Sequence, residues 1–148
     1  LDDGTVLEDS VLICWYLDCI DGTPKLHPAD GINGLEQRRI EAIARSMLDG
    51  TSLWLREYLL RPPEMRSETI IGHERRRAFR LADFFEKEVQ GELLSGPINM
   101  AQITLACVFH GNMFAGLPGF DWQEGRSHLC NWVERIGQNL SVKETALP

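Results

Sequence analysis

The sequence predicts an all-α fold preceded by one short β-hairpin, and three observations carry that reading. Ile40, Ala44, Met47, Thr51, Trp54 and Tyr58 step along the chain by four, three, four, three and four residues, which draws a continuous stripe on a helix. Within 99–114, Met100, Ala101, Ile103, Leu105, Ala106, Val108 and Phe109 surround the helix axis, the pattern of a helix buried in the middle of a bundle. Asp3-Gly4 between apolar residues signals a hairpin, and past it every element reads as helix.

Taken in order, residues 1–7 read as the tail of one strand, the Asp3-Gly4 turn and a second strand through Val6 and Leu7. An isolated hairpin is marginal in water, so a larger sheet is expected to receive it. Asp9 and Ser10 are N-cap candidates for a helix that reaches about residue 20. Its run from Val11 to Leu17 has almost no polar face, which predicts a position between two packed layers. Asp21-Gly22-Thr23-Pro24 breaks that helix, and Pro24, Pro28, Gly31 and Gly34 mark a linker. The long stripe then begins at Leu35. Gly50 inside it costs about 1 kcal/mol relative to Ala and suggests a bend, and Arg61-Pro62-Pro63 ends the helix. A further helix over 67–89 presents Ala78, Leu81, Ala82, Phe85 and Val89 on one face. Asn99 and Gln102 resemble a capping box at the start of the central helix, with Ile98 and Ile103 as its hydrophobic staple. Leu129, Trp132, Val133 and Ile136 mark the last amphipathic helix. Met47, Trp54, Phe109, Met113 and Phe114 are read as core.

A chain of 148 residues with 43% hydrophobic and 25% charged residues is long and apolar enough to fold as one domain without disulfides or metals. Asp and Glu number 22 against 15 Lys and Arg, and the net charge of −7 argues against binding to nucleic-acid phosphates or anionic lipid. Arg75-Arg76-Arg77 with Arg80 is the one basic run, and Glu74, Glu86 and Glu88 beside it favour a solvated, ion-paired face. The longest apolar run, from Val11 to Leu17, is too short to cross a bilayer. Cys14, Cys19, Cys107 and Cys130 form no CxxC pair; Cys14 and Cys107 lie in apolar runs and read as small hydrophobes, reduced in a cytosolic protein. His27, His73, His110 and His128 are scattered without metal-ligand spacing, so no metal site is expected.

The most informative chemistry lies in Glu8-Asp9-Ser10, where a strand feeds a helix. A helix N-terminus offers unpaired N–H groups and the positive end of a dipole, which suits a carboxylate. The Ser10 hydroxyl adds a donor, and the Asp9 carboxylate can hold an amine. Together they match the two ends of an amino acid. The simpler alternative is that Asp9 or Ser10 only caps the helix.

Residues 3 to 28, from Asp3-Gly4-Thr5-Val6-Leu7-Glu8-Asp9-Ser10 through Tyr16-Leu17-Asp18 to Pro24-Lys25-Leu26-His27-Pro28, resemble glutathione S-transferases. They look like the last strand of that family's thioredoxin-like domain, its following helix and the linker to its helical domain. Arg56-Glu57 before Arg61-Pro62 looks like the end of the family's first C-terminal helix. Leu105 onward to Phe120-Asp121-Trp122, and Leu129-Cys130-Asn131-Trp132, resemble its central helix and the next element. Asn139-Leu140-Ser141-Val142 stands where many members have Arg-Pro-Ser, and Asn99 with Gln102 replaces the family's usual Ser/Thr and Asp capping pair.

The resemblance implies a remnant of the thioredoxin-like domain over 1–22, a linker over 23–34 and a glutathione transferase C-terminal helical domain over 35–148. It implies that Asp9 and Ser10 bind the γ-glutamyl end of glutathione, the co-substrate. It implies further that a cytosolic, homodimeric parent conjugates the glutathione thiolate to small electrophiles. The family's thiol-activating Tyr, Ser or Cys precedes the matching region, so no catalytic residue is expected in these 148 residues, and this chain alone is expected to be inactive and to bind glutathione weakly. Two alternatives stand beside this: a non-catalytic relative serving as a binding or assembly module, and a helical bundle of accidental likeness.

Overall fold

The stripes of the sequence become the buried faces of a helical bundle. The computed structural model describes residues 1–28, 32–110 and 113–145. Among them run α1 Ser10–Cys19, α2 Leu35–Leu59, α3 Glu68–Glu88, α4 Glu92–Ser95, α5 Met100–Phe109, α6 Ser127–Ile136 and α7 Leu140–Glu144, with 3-10 turns at Ile32–Gly34 and Pro63–Met65. The fold is all-α. Helix α5 packs on α2 and α6, and α3 packs on α2 and α6, so these four helices close into one bundle.

The predicted faces are the buried ones. Ile40, Ala44, Met47, Thr51 and Trp54 of α2 are each 1% exposed or less. Ala78, Ala82 and Phe85 of α3 and Leu129, Trp132 and Ile136 of α6 are buried in the same core as α5, whose Leu105 is fully buried. Phe120 ties the frame together: its ring lies 5.7 Å from Trp54, 6.1 Å from Phe79 and 6.4 Å from Phe109. Gly50 is where α2 meets α3. A Cβ there would collide with Oε2 of buried Glu74 and stand 2.8 Å from Arg77 Nη1, two groups that pair at 3.1 Å. Close approach thus accounts for the glycine, and α2 runs unbroken through it.

Several helix ends follow their sequence signals. Ser67 accepts from the Ile70 amide and starts α3, and Asn99 accepts from the Gln102 amide at 3.1 Å and starts α5. The reciprocal half of the capping box is absent. The Gln102 side chain instead donates through Nε2 to the carbonyls of Pro97, Leu93 and Gly96, securing the α4–α5 turn. Helix α6 begins at Ser127, and its N-cap residue Arg126 supplies no side-chain cap. Glu86 of α3 provides one from across the bundle, accepting from the Leu129 amide at 2.8 Å and the His128 amide at 3.2 Å.

Other expectations need correction. No strand forms among the described residues: Leu1 to Gly4 make a turn, with the Gly4 amide on the Leu1 carbonyl and φ of 85° at Gly4, but residues 5–8 are irregular. A turn alone cannot hold two strands that lack a neighbouring sheet. Helix α1 is not enclosed either. Trp15, Leu17 and Ile20 are 50–60% exposed, and no residue of α1 is buried. The central helix ends at Phe109, short of Phe114. Beyond it Phe114 is buried as expected, whereas Met113 is exposed. Cys107 is exposed on α5 and Cys14 only half-buried, so neither fills the core. The linker read over 23–34 includes residues 29–31, which lie outside the described residues.

Leu105→Ala is expected to cost about 2–5 kcal/mol in urea unfolding, because the cavity opens where α2, α5 and α6 meet. Cys107→Ala, two residues on and facing out, is expected to stay within about 0.5 kcal/mol of the wild type.

Candidate functional site

Asp9 is the only non-glycine residue with positive φ among the described residues, at φ 76° and ψ 126°. Such a backbone costs a residue with a Cβ about 1–3 kcal/mol. Asp9 Oδ1 accepts from the Val11 amide at 2.7 Å and the Asp9 carbonyl from the Ile13 amide at 3.0 Å. Asp9 is therefore the N-cap of α1, and Ser10, its first residue, is exposed with a hydroxyl not needed for capping. That hydroxyl accepts from Arg45 Nη1 of α2 at 3.4 Å. Arg45 Nη2 is held 2.8 Å from Oε1 of Glu41, one turn earlier on α2, and Glu41 is buried.

An open cleft of about 750 Å³ separates α1 from α2. Its α1 wall is apolar, from Val11, Leu12 and Trp15, with Asp9 at one end; its α2 wall is charged, from Glu41, Arg45 and Asp49. The size suits a small organic molecule.

The opposite end of α1 is anchored by Asp18. Its carboxylate accepts from the backbone amides of Lys25 at 3.0 Å, Leu26 at 2.9 Å and His27 at 2.8 Å, and from His27 Nδ1 at 2.9 Å. The Leu26 carbonyl in turn accepts from Gln37 Nε2 of α2 and from the Met100 amide that opens α5. One short segment thus joins α1, α2 and α5, and the register it sets brings Ser10 opposite Arg45. Burial by itself would raise the Asp18 pKa, but the His27 ring and the three amides outweigh it and hold the carboxyl well below the usual range.

The structure places both sequence-predicted residues, Asp9 and Ser10, at one helix start, and adds Arg45 and Glu41, which sequence reasoning missed. Glu41 and Arg45 are legible as an i,i+4 pair, but nothing local reveals that the pair faces a serine 35 positions away. Desolvation first, and the neighbouring Cys14 second, push the Cys107 thiol up, the wrong direction for a nucleophilic thiolate. No cluster of three or more His, Cys, Asp or Glu side chains suited to a metal occurs among the described residues, and none of their helices is long and apolar enough to cross a membrane.

No protein-family model matches the chain. The GST-like protein YibF of Escherichia coli (strain K12), itself uncharacterized, is 31% identical over 149 residues, covering 99% of this chain and 72% of that protein. The chain belongs to the glutathione S-transferase family. Solved structures agree. A glutathione transferase family member from Pseudomonas fluorescens Pf-5 with bound glutathione superposes with a TM-score of 0.87 at 31% identity, over 100% of this chain and 71% of that one. A glutathione S-transferase from Methylobacillus flagellatus KT, also with glutathione bound, gives 0.84 at 25% identity over 100% and 73%.

Asp18→Asn is expected to lower stability by roughly 1.5–3 kcal/mol near neutral pH, since charge-assisted bonds to three amides are weakened together. A depressed folded-state pKa gives stabilisation that is complete above the unfolded carboxylate value of about 3.9 and is lost as the pH falls toward the folded one. Urea titrations should therefore show the gap between wild type and variant widest above that pH and closing in stronger acid.

Proposed function

We propose that the protein is a glutathione S-transferase that conjugates the glutathione thiolate to small electrophiles, with Asp9 and Ser10 holding the γ-glutamyl end. The observation that carries this reading is the strained Asp9 that lines the cleft at the start of α1, with the exposed Ser10 hydroxyl next to it, in a chain whose structural relatives bind glutathione. The Ser10 hydroxyl and backbone N–H take the γ-glutamyl carboxylate, and the Asp9 carboxylate takes its ammonium. Residues 1–22 then belong to a thioredoxin-like domain, 23–34 to a linker and 35–148 to the helical domain.

In such a transferase the thiolate is the nucleophile, so catalysis rests on lowering the thiol pKa. None of the residues described above is given that task; this chain's share is to fix one end of the tripeptide and so orient the thiol at the other. The same family reading makes the full-length protein a cytosolic homodimer. The exposed apolar side chains of α1, together with Leu59, Leu60 and Met65 after α2, supply surface for association.

Ser10→Ala in the full-length natural protein is expected to weaken glutathione binding about tenfold or more, the worth of one charge-assisted hydrogen bond of roughly 1.5–3 kcal/mol. Because Asp9 is the cap, the melting behaviour should barely change. Calorimetric titration with glutathione beside thermal melts reads both quantities. Unchanged affinity with lowered stability would assign Ser10 to the fold alone.

A further inference from the structure

We propose that Arg45 is a second binding residue for the γ-glutamyl carboxylate, reaching it from α2 beside the Ser10 hydroxyl. The inference rests on the assignment of Asp9 and Ser10 to that group and extends it with a cation from a different helix. Arg45 Nη1 stands 3.4 Å from Ser10 Oγ, beyond the ordinary 2.7–3.2 Å of an N–H···O bond, so the guanidinium lies beside the hydroxyl without being used up by it. Its other terminal nitrogen is fixed by buried Glu41 at 2.8 Å. An arginine has five N–H donors on a rigid planar fork, so a guanidinium held by one carboxylate on one edge can receive a second on another.

The distribution of donors and acceptors matches an α-amino acid. Arg45 lines the cleft, the Ser10 hydroxyl 3.4 Å from it is a second donor beside that edge, and the first-turn amides of α1 other than Val11, which Asp9 caps, add to them. Asp9, whose Oδ1 is engaged by the Val11 amide, offers its remaining carboxylate oxygen to a cation. Glu41 serves as a positioning residue: it pins Arg45 one helical turn away. Arg45 is only about one-fifth exposed, and a partly dehydrated guanidinium binds an anion more strongly than one in open water.

The test uses the full-length natural protein, calorimetry, and two probes: glutathione and 4-aminobutanoyl-cysteinyl-glycine, which is glutathione without the γ-glutamyl α-carboxylate. Arg45→Gln is expected to weaken glutathione about tenfold while leaving the decarboxylated probe within about twofold of its wild-type affinity. Arg45→Lys is expected to recover part of the loss for glutathione alone; should the Gln variant fail to fold, the Lys variant carries the comparison. Equal losses for both probes would make Arg45 a strut between α1 and α2 and overturn the proposal. Unchanged glutathione affinity in both Arg45 variants, with Ser10→Ala still weakened, would overturn it while leaving the γ-glutamyl assignment in place. Wild-type protein that binds glutathione no better than the decarboxylated probe would sink both.

Discussion

Helix α5 has almost no polar side to turn toward water, and the rest of the bundle is arranged to cover it. Eight of its ten residues are buried, so it needs neighbours on every flank but the narrow strip at Cys107 and Ile103. Helix α2 covers one flank with the Ile40-to-Trp54 stripe, α6 covers another with Leu129, Trp132 and Ile136, and the Phe120–Trp122 segment folds back under Phe109. A helix enclosed in this way cannot fray at its start without cost. Its first amide is accordingly committed to the Leu26 carbonyl, and Asn99 and Gln102 lock the preceding turn. The bundle core thereby reaches as far as the segment that holds α1.

The parts of this arrangement that obey a local period were legible from the residues. A stripe at spacings of three and four can bury only one way, which is why α2, α3 and α6 present the faces read from Ile40, Ala78 and Leu129. Asp9 and Asn99 were legible as caps because a capping side chain acts within two or three residues of itself. What escaped reading depends on distant partners. The hairpin was inferred from the Asp3-Gly4 turn and the enclosure of α1 from its apolar run, yet strands need a sheet and burial a second surface, and local pattern cannot say whether either is there. Cys107 sits in an apolar run but faces outward, since one residue of nearly any helix must. Of the candidate site, Asp9 and Ser10 were legible and Arg45 was not, because an i,i+4 Glu–Arg pair looks the same whether it faces solvent or a serine on another helix.

Two carboxylates show how long-range polar contacts complete what local capping leaves undone. Glu86 caps α6 from α3, and Asp18 gathers three successive amides at the turn after α1. In each case burial opposes the charged form and hydrogen bonds from N–H donors prevail, so both carboxyls sit below their ordinary range. Such a carboxylate is strongly directional: it fixes the orientation of the amides it accepts from, which apolar packing alone does not. Helix α1, with no buried residue of its own, depends on that kind of contact for its placement beside α2.

The strained backbone of Asp9 is the feature that capping leaves unexplained. An Asp N-cap ordinarily sits in the extended region with negative φ and satisfies the same amide without strain. At φ 76° the residue still caps Val11, so the added cost of about 1–3 kcal/mol must be attached to something else. A chain reversing that sharply into α1 puts the Asp9 carboxylate, the Ser10 hydroxyl and the open first turn within a single residue step. Relaxing φ to the extended region would swing Asp9 relative to Ser10 while α1, tied through Asp18, stayed in place. The opposed acceptor and donor would no longer share one mouth of the cleft. Strain held at this position by a helix anchored at its far end is the pre-organisation that the proposed γ-glutamyl site calls for.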